Sequence, residues 1–232
     1  MKCSYCKEPL VRTLSLAEIL GLVSIPLFEL CSHCTQLFHQ IDPTTACPGC
    51  GRDTSMKEEP GLCADCLYWQ KRYPTYSFKN RALFRYDYSF KEWISSYKFS
   101  GDYQLRGTFS ERLKRTLSQR TYKNTLICPL PLSIERQKQR GFNQVEGVLL
   151  AASIPFVPLL KRLELAPQSG KTRQERLLMP QPYVLAVEKA QIKHQSILLI
   201  DDVYTTGRTL FHAAECLRLA NPAKVESLTF AR

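Results

Sequence analysis

The sequence predicts an α/β protein with a parallel sheet, preceded by a small cysteine-rich module. From Ile127 onward, apolar strand-like runs alternate with helix-like segments, which is the pattern of parallel strands joined by right-handed crossovers. Eight of the 10 cysteines fall within the first 66 residues, a segment too small to fold on apolar burial alone. We therefore expect a cysteine-rich module over residues 1–70 and an α/β domain over residues 71–232.

The cysteines of residues 1–70 occur as four Cys-x-x-Cys pairs. The pairs are Cys3 with Cys6, Cys31 with Cys34, Cys47 with Cys50, and Cys63 with Cys66. Two such pairs complete a closed tetrahedral site of four thiolates, so the spacing predicts two structural zinc ions. Disulfides would require an oxidising compartment, and nothing in the sequence suggests export. Sequential pairing closes the shortest loops and is preferred, while nested or interleaved pairing stays open.

Between the first two cysteine pairs lies an apolar insert, residues 14–30. Its leucines and isoleucines recur at near-helical spacing, which predicts a helix that packs on the second domain or on a partner. Residues 1–70 carry a net charge of −3 and residues 71–232 one of +14. Zinc held by four thiolates would make the module still more acidic, so the basic α/β domain is the better candidate for binding phosphates.

The elements of the α/β domain are predicted in chain order. We expect strands over residues 76–86, 125–128, 195–200 and 225–230, each an apolar or alternating run. Helices are expected from about residue 90 to a stop near Gly101, over 103–117, after a loop within 133–152, and from Thr209 to a stop at 221–222. Cys128 and Cys216 lack a paired neighbour and are expected to be buried packing residues.

The most informative stretch is residues 197–210, where an apolar strand runs into two adjacent carboxylates and a hydroxyl-rich loop. The carboxylates are Asp201 and Asp202, and the loop residues are Thr205, Thr206, Gly207, Arg208 and Thr209. Backbone N–H groups at the start of the next helix suit a phosphate, and the carboxylates suit the vicinal hydroxyls of a ribose. The alternative is a simple strand–loop–helix with a capping threonine. That alternative leaves unexplained why two mutually repelling carboxylates end a buried strand.

Basic residues near the strand ends complete the candidate site. The candidates are Arg136 and Arg140 after the strand at 125–128. A separate polar and basic loop contains Lys171, Arg173 and Arg176, whose role in the site is implied only by the resemblance given below. The planar fork of arginine suits a diphosphate, whereas the polar loop could also be a surface linker. Residues 106–140 contain nine Lys or Arg against two Glu. This stretch suits either a nucleic-acid backbone or a solvated helix face with arginines that serve the phosphate site.

Three motifs, in this order, resemble those of the ComF family of late-competence proteins. They are the paired cysteines, the string Arg-Gly-Phe-Asn-Gln at 140–144, and the acidic pair followed by Thr-Thr-Gly-Arg-Thr at 205–209. The last motif also resembles the phosphoribosyl-pyrophosphate loop of type I phosphoribosyltransferases. The resemblance covers nearly the whole chain. It implies a double zinc ribbon followed by a type I phosphoribosyltransferase-like parallel sheet, and a role in DNA uptake during natural transformation.

The same resemblance implies roles for the candidate residues. Asp201 and Asp202 would hold the ribose hydroxyls at a catalytic centre, and the loop at 205–209 would hold the 5′-phosphate of phosphoribosyl pyrophosphate. The basic residues Arg136, Arg140, Lys171, Arg173 and Arg176 would neutralise the pyrophosphate, together with magnesium. No segment shows a motif for a purine or pyrimidine, so the acceptor of such a transfer stays unidentified.

Three functions follow from these expectations. The first, which the resemblance favours, is the binding of incoming single-stranded DNA through the basic domain. The second is phosphoribosyl transfer to an unidentified acceptor, and the third is an adaptor whose zinc module docks a partner such as a competence helicase. Residues 1–3 do not begin a signal peptide, and no apolar run approaches the roughly 18 residues of a membrane span. We expect a cytoplasmic protein, alone or at the inner face of the membrane with the uptake machinery.

Overall fold

The computed structural model describes residues 1–11, 13–22, 25, 27–55, 61–72, 78–164 and 182–232. The described residues up to 72 contain three short helices, α1 Leu16–Ile19, α2 Ser32–Leu37 and α3 Ala64–Arg72. One cysteine pair straddles the start of α2 and another straddles the start of α3. The predicted division at residue 70 falls inside α3, and the two-domain description stays a prediction.

A four-stranded parallel sheet forms the centre of the remaining chain. Its strands are β1 Asn80–Phe84, β2 Thr125–Pro129, β5 Ser196–Val203 and β6 Lys224–Ala231, in the order β1-β6-β5-β2. Each pairing in this sheet is parallel, which confirms the predicted α/β class. Residues 197–200 of β5 are almost completely buried because both faces of the sheet are covered. A separate antiparallel pair consists of β3 Leu160–Arg162 and β4 Tyr183–Leu185.

Helices and short 3-10 turns connect and cover these strands. They are α4 Tyr88–Phe99, α5 Ser110–Leu117, α6 Ile134–Arg140, α7 Gln144–Ala151, α8 Lys189–Ile192 and α9 Arg208–Arg218, with 3-10 turns at Tyr103–Gly107 and Arg120–Tyr122. Two of the predicted helices are interrupted. The one at 103–117 is a 3-10 turn followed by α5, and the one within 133–152 is divided at Gly141, whose φ of +78° ends α6.

Two apolar cores lie on opposite faces of the sheet. One contains the alternate β5 residues Ile197 and Leu199 together with Phe211 of α9, and we call it the α9 core. The other contains Leu198 and Ile200 and is rich in aromatic side chains, among them those of α4 and Phe109 at the N-cap of α5, and we call it the aromatic core. Alternate residues of a strand point to opposite faces, so β5 contributes to both. The predicted burial of Cys128 and Cys216 is confirmed, since both lie in the α9 core.

The predicted helix over residues 14–30 is largely wrong. In the described part of this insert, the helical residues are the single turn α1, whose Ser15 and Glu18 cap each other. Leu16 is 71% and Ile19 is 64% exposed, so the described residues do not provide the apolar face with the tertiary surface that a longer helix would need. The end of the insert does reach the second part of the chain, because Leu30 packs against the aromatic core.

None of the helices within the described ranges has both the length and the hydrophobicity needed to cross a bilayer.

Candidate functional site

The eight paired cysteines form two clusters, each of which can hold a metal ion. The first cluster is Cys3, Cys6, Cys31 and Cys34, and the second cluster is Cys47, Cys50, Cys63 and Cys66. Within each cluster the sulfur atoms lie within 4.8 Å of one another, which confirms sequential pairing. The Sγ–Sγ separations include 3.8 Å for Cys6–Cys31, 3.7 Å for Cys47–Cys66 and 3.5 Å for Cys50–Cys63. Four sulfurs bound tetrahedrally at about 2.3 Å stand about 3.8 Å apart, whereas a disulfide needs about 2.05 Å.

The β5–α9 connection has the predicted strand–loop–helix form. β5 extends three residues beyond the predicted strand and ends at Val203, so Asp201 and Asp202 lie within the last three residues of the strand, at the carboxyl edge of the sheet. Gly207 precedes α9 with a φ of +79°, and a Cβ there would come within 2.2 Å of the Tyr204 hydroxyl oxygen. Glycine therefore lets the loop close against the buried Tyr204 ring before α9 begins at Arg208.

The two carboxylates of the acidic pair have different surroundings. Asp202 is buried, and its Oδ2 lies 2.7 Å from the Lys98 Nζ and accepts a hydrogen bond from the Gln144 side-chain amide. Asp201 is partly exposed, and its Oδ1 accepts the Asp202 N–H at 2.9 Å. Burial and the neighbouring Asp202 carboxylate raise the pKa of Asp201 to about 7. Asp202 is thus neutralised by protein groups, while Asp201 is left as the carboxylate open to a ligand.

Two of the predicted basic residues lie beside the acidic pair. Arg140 donates to the Gln144 Oε1 at 3.0 Å, and its guanidinium carbon lies 5.5 Å from the centre of the Phe99 ring. Burial and the positive charge of Arg136 lower the pKa of Arg140, while Asp202 opposes this shift. Arg136 is exposed on α6 and favours the ionised form of Asp201 electrostatically.

The predicted basic loop lies outside the described residues. Its candidates are Lys171, Arg173 and Arg176, all within the undescribed range 165–181.

Curated relatives of the chain are competence proteins. The chain is 35% identical to competence protein ComFC of Streptococcus pneumoniae, with 100% of both chains covered. The chain belongs to the ComFC family. ComFC of Bacillus subtilis is 36% identical over 80% of this chain and 77% of its own, and competence protein F of Haemophilus influenzae is 27% identical over 91% and 94%. Membership of the ComFC family indicates a role in competence. No family model matches the chain.

Solved structures similar to this ComFC family member include phosphoribosyltransferases. A hypoxanthine phosphoribosyltransferase from Staphylococcus aureus matches with a TM-score of 0.32 and 12% identity, over 57% of this chain and 63% of that one. A hypoxanthine phosphoribosyltransferase from Trypanosoma cruzi matches with a TM-score of 0.33 and 12% identity, over 57% and 66%. These likenesses concern the fold alone.

Four residues around the site were not predicted from the sequence. Lys98 and Gln144 contact Asp202, while Trp69 and Arg232 contact the loop from behind. Gln144 could have been found, because it belongs to the Arg-Gly-Phe-Asn-Gln string that marks the ComFC family here. Lys98, Trp69 and Arg232 belong to no motif, and only the folded chain brings Lys98 to Asp202 and the other two residues to the loop.

Proposed function

We propose that the protein binds a 5-phosphoribosyl group at the β5–α9 loop and handles single-stranded DNA during competence. The observation that carries the first part is the arrangement at the carboxyl end of β5. Asp201 is partly exposed beside a loop of free donors, because no described residue accepts a hydrogen bond from the N–H of Thr205, Thr206 or Gly207. A ribose phosphate would satisfy both, with hydroxyl donors for the carboxylate and phosphate oxygens for the N–H groups.

In this proposal the two carboxylates of the acidic pair have different roles. Asp202, held by Lys98 and Gln144, fixes the end of β5, and Asp201 receives the ribose hydroxyls. Burial and the Asp202 carboxylate raise the pKa of Asp201, and among the described residues no cation lies within ion-pair distance of it to offset them. A ligand that donates hydrogen bonds to this carboxylate would offset part of that shift, which favours a hydroxyl-bearing ligand over a simple phosphate.

The pyrophosphate end of such a ligand would face the basic side of the pocket. Arg136 and Arg140 lie beside the acidic pair, and we propose them as its first contacts. We propose Lys171, Arg173 and Arg176 as further contacts of the pyrophosphate. Magnesium bound with phosphoribosyl pyrophosphate would offset the negative charge of the ligand next to Asp201.

Isothermal titration with phosphoribosyl pyrophosphate and with ribose 5-phosphate, both with magnesium, tests this part. We expect the unmodified protein to bind both, and Asp201→Asn to weaken binding about 10-fold or more because it loses a charged acceptor. Glu188→Gln, an exposed carboxylate beside α8, is the matched control and should bind normally. If neither compound binds the unmodified protein, the phosphoribosyl assignment is wrong.

Uncompensated positive charge supports the second part of the proposal. None of the nine Lys or Arg in residues 106–140 lies within ion-pair distance of a carboxylate that the structure describes. Burial lowers the pKa of Arg112, and the neighbouring Arg81 and Arg115 lower it further. Cations that crowd together without carboxylates are suited to the phosphates of a nucleic-acid backbone.

Single-strand binding measured against salt concentration tests this surface. For Lys114→Ala/Arg115→Ala we expect weaker binding and a slope of log affinity against log salt that is shallower by about 1.4, because two phosphate contacts are lost. The matched control is Lys189→Ala/Lys193→Ala, which removes two exposed cations around α8. Binding without salt dependence, or equal effects of the two double variants, would contradict the proposed surface.

We propose zinc as the metal of both clusters, because four thiolates at these separations suit it. Metal analysis of the purified protein should find about two zinc ions per chain. One metal ion per chain would leave one cluster without its proposed role. In the cell, we propose that the protein acts in the cytoplasm with an uptake helicase at the inner face of the membrane.

Phosphoribosyl transfer is the second candidate function. The intact acidic pair with Arg136 and Arg140 beside it supports this candidate, because the same cations that bind the pyrophosphate would also stabilise the charge that develops on it as it leaves. Release of pyrophosphate from phosphoribosyl pyrophosphate in the presence of candidate bases would support it. Tight binding of phosphoribosyl pyrophosphate without release would leave the binding role as the function.

A further inference from the structure

The β5–α9 loop is in contact with α3, the helix that carries Cys66 of the second cysteine cluster. Trp69 lies on α3, three residues after Cys66, and its ring stacks on Phe211 of α9 at a centroid distance of 4.8 Å. The indole Nε1–H donates to the carbonyl oxygen of Thr206 at 3.0 Å. One side chain therefore joins the helix that carries Cys66 both to the loop and to the helix that follows the loop.

Arg232 makes a second connection to the same stretch of backbone. Its guanidinium donates to the carbonyl oxygen of Tyr204 at 3.1 Å and to that of Thr205, and it lies 4.7 Å from the centre of the Tyr204 ring. The other side of the guanidinium donates to the Asp65 Oδ2 at 2.9 Å. Asp65 lies on α3 between Cys63 and Cys66, so this connection also begins at the second cluster.

The Asp65 carboxylate is itself fixed by the cluster segment. Arg52, two residues after Cys50, donates to the same Oδ2 at 2.7 Å. The Arg232 side chain is 6% exposed, which makes its ion pair with Asp65 far less accessible to water than a surface salt bridge. Both connections to the loop thus depend on residues that sit within three positions of a cysteine in the second cluster.

We propose that Trp69 and Arg232 form a carbonyl clamp, which turns three consecutive carbonyls of the loop away from the ligand. In a trans peptide, the carbonyl of one residue points opposite to the N–H of the next. When the carbonyls of Tyr204, Thr205 and Thr206 point toward the clamp, the N–H groups of Thr205, Thr206 and Gly207 point to the other face. These are the N–H groups for which no described acceptor exists.

The carbonyl clamp makes Trp69 and Arg232 positioning residues for phosphate binding, and this role rests on the proposed phosphoribosyl function. Neither side chain touches the ligand. Each one holds a row of donors in the orientation that a phosphate needs, before the phosphate arrives, so that the loop does not have to reorganise on binding. The second cysteine cluster would therefore set the affinity of a site formed by other residues.

Amide hydrogen exchange tests the carbonyl clamp in the absence of any ligand. The reporters are two backbone N–H groups, one on either side of the loop. The Tyr204 N–H donates to the carbonyl oxygen of Ala231 at 2.9 Å, and the Phe211 N–H donates to that of Gly207 at 2.9 Å. We expect exchange there to be about 3-fold faster in Trp69→Phe, which keeps an aromatic ring but loses the donor. In Arg232→Gln, where charged bonds to two carbonyls are lost, we expect it to be about 10-fold faster. Exchange at Leu199 in β5 should not change.

The affinity of the same variants for phosphoribosyl pyrophosphate tests whether the clamp orients the loop N–H groups toward the ligand. We expect binding to weaken about 5-fold in Trp69→Phe and about 10-fold or more in Arg232→Gln, with an intermediate value for Arg232→Lys, which keeps the charge but not the fork. Leu67→Ala is the control, since Leu67 is an exposed residue of the same helix.

The two measurements separate failure of the carbonyl clamp from failure of the proposed function. If the unmodified protein does not bind phosphoribosyl pyrophosphate, the phosphoribosyl assignment fails, and the exchange rates alone decide whether the clamp orders the loop. If the unmodified protein binds phosphoribosyl pyrophosphate, and Trp69→Phe and Arg232→Gln bind it as tightly as the unmodified protein does, the clamp is overturned, whatever the exchange rates are. Faster exchange at Leu199 as well as at the loop would also overturn it, because the variants would then act on global stability.

Discussion

The two cysteine clusters have the same ligand set but different relations to the rest of the molecule. In the first cluster Cys6 is exposed and Cys31 partly so, and its neighbours reach the sheet through ring contacts from Tyr5 to Phe38 and from Phe38 to Phe84 of β1. In the second cluster every cysteine is buried and belongs to the α9 core. The same motif therefore forms a peripheral module at one place and part of the site's framework at another.

The polar contacts of the two clusters differ in the same way. Near the first cluster, Lys7 lies 3.9 Å from Asp102, and both side chains are more than a third exposed, so this ion pair contributes little. Near the second cluster, Asp65 joins Arg52 and Arg232, and Arg232 continues to the loop carbonyls. Loss of the first cluster should be a local event, and loss of the second should reach the candidate site.

Removing one thiolate from each cluster gives the largest expected effect. Cys50→Ser should lower the free energy of unfolding by more than about 4 kcal/mol, because it opens a buried metal site inside the α9 core. Cys6→Ser should cost clearly less, since the exposed Cys6 serves only the first cluster. Urea denaturation followed by circular dichroism, with metal content measured on each variant, would make the comparison. Equal losses would mean that the two clusters are equivalent supports of the fold.

Two buried phenylalanines separate stability from loop geometry. Phe211→Ala in the α9 core and Phe38→Ala beside the first cluster should each cost about 3–4 kcal/mol, because each leaves a cavity of similar size. Only Phe211→Ala removes the surface on which Trp69 stacks. We therefore expect weaker binding of phosphoribosyl pyrophosphate, about 10-fold, in that variant alone, measured by titration calorimetry at a temperature where both variants are folded. A similar loss of affinity in Phe38→Ala would contradict a special role for the second cluster.

Asp201→Asn should raise the free energy of unfolding, whereas the cysteine variants should lower it. The folded-state pKa of about 7 lies above the unfolded value of 3.8, so the folded protein holds the proton more tightly. The free energy of unfolding of the unmodified protein then falls as pH rises from about 4 to about 7. Asparagine keeps the acceptor for the Asp202 N–H and removes the negative charge next to Asp202, so the variant should be more stable by about 2 kcal/mol at pH 8 and by almost nothing at pH 4.

Denaturation of both proteins at a series of pH values would measure this difference. The metal content of Asp201→Asn should be unchanged, which distinguishes a lesion in the ligand pocket from a lesion in its framework. A variant that is less stable than the unmodified protein at pH 8 would show that Asp201 is compensated by the protein rather than left for a ligand.

The sequence allowed correct predictions for those features that depend on the spacing of residues close together in the chain. The Cys-x-x-Cys pairs, the β5 strand and the start of α9 depend on residues within a few positions of one another, and all were confirmed. The carbonyl clamp could not be predicted, because Trp69 is 137 residues from Thr206 and Asp65 is 167 residues from Arg232. Such pairs leave no periodicity in the sequence.

The insert at 14–30 shows the reverse error. Its helical spacing of apolar residues was real, but periodicity predicts a helix only where a surface exists to cover the apolar face. α1 is one turn long, and its Leu16 and Ile19 are exposed. The second cluster, by contrast, has its apolar neighbours buried around it, and its helix α3 is nine residues long.

The smallest expected effect comes from this insert beside the first cluster. Leu16→Ser/Ile19→Ser should change the free energy of unfolding by less than about 0.5 kcal/mol, because both side chains are mostly exposed. The buried control is Leu105→Ala in the aromatic core, for which about 2–4 kcal/mol is expected. Urea denaturation of the two proteins makes the measurement. A loss above about 2 kcal/mol in the double variant would mean that the insert packs against the fold after all, and the first cluster would then resemble the second more closely than its contacts indicate.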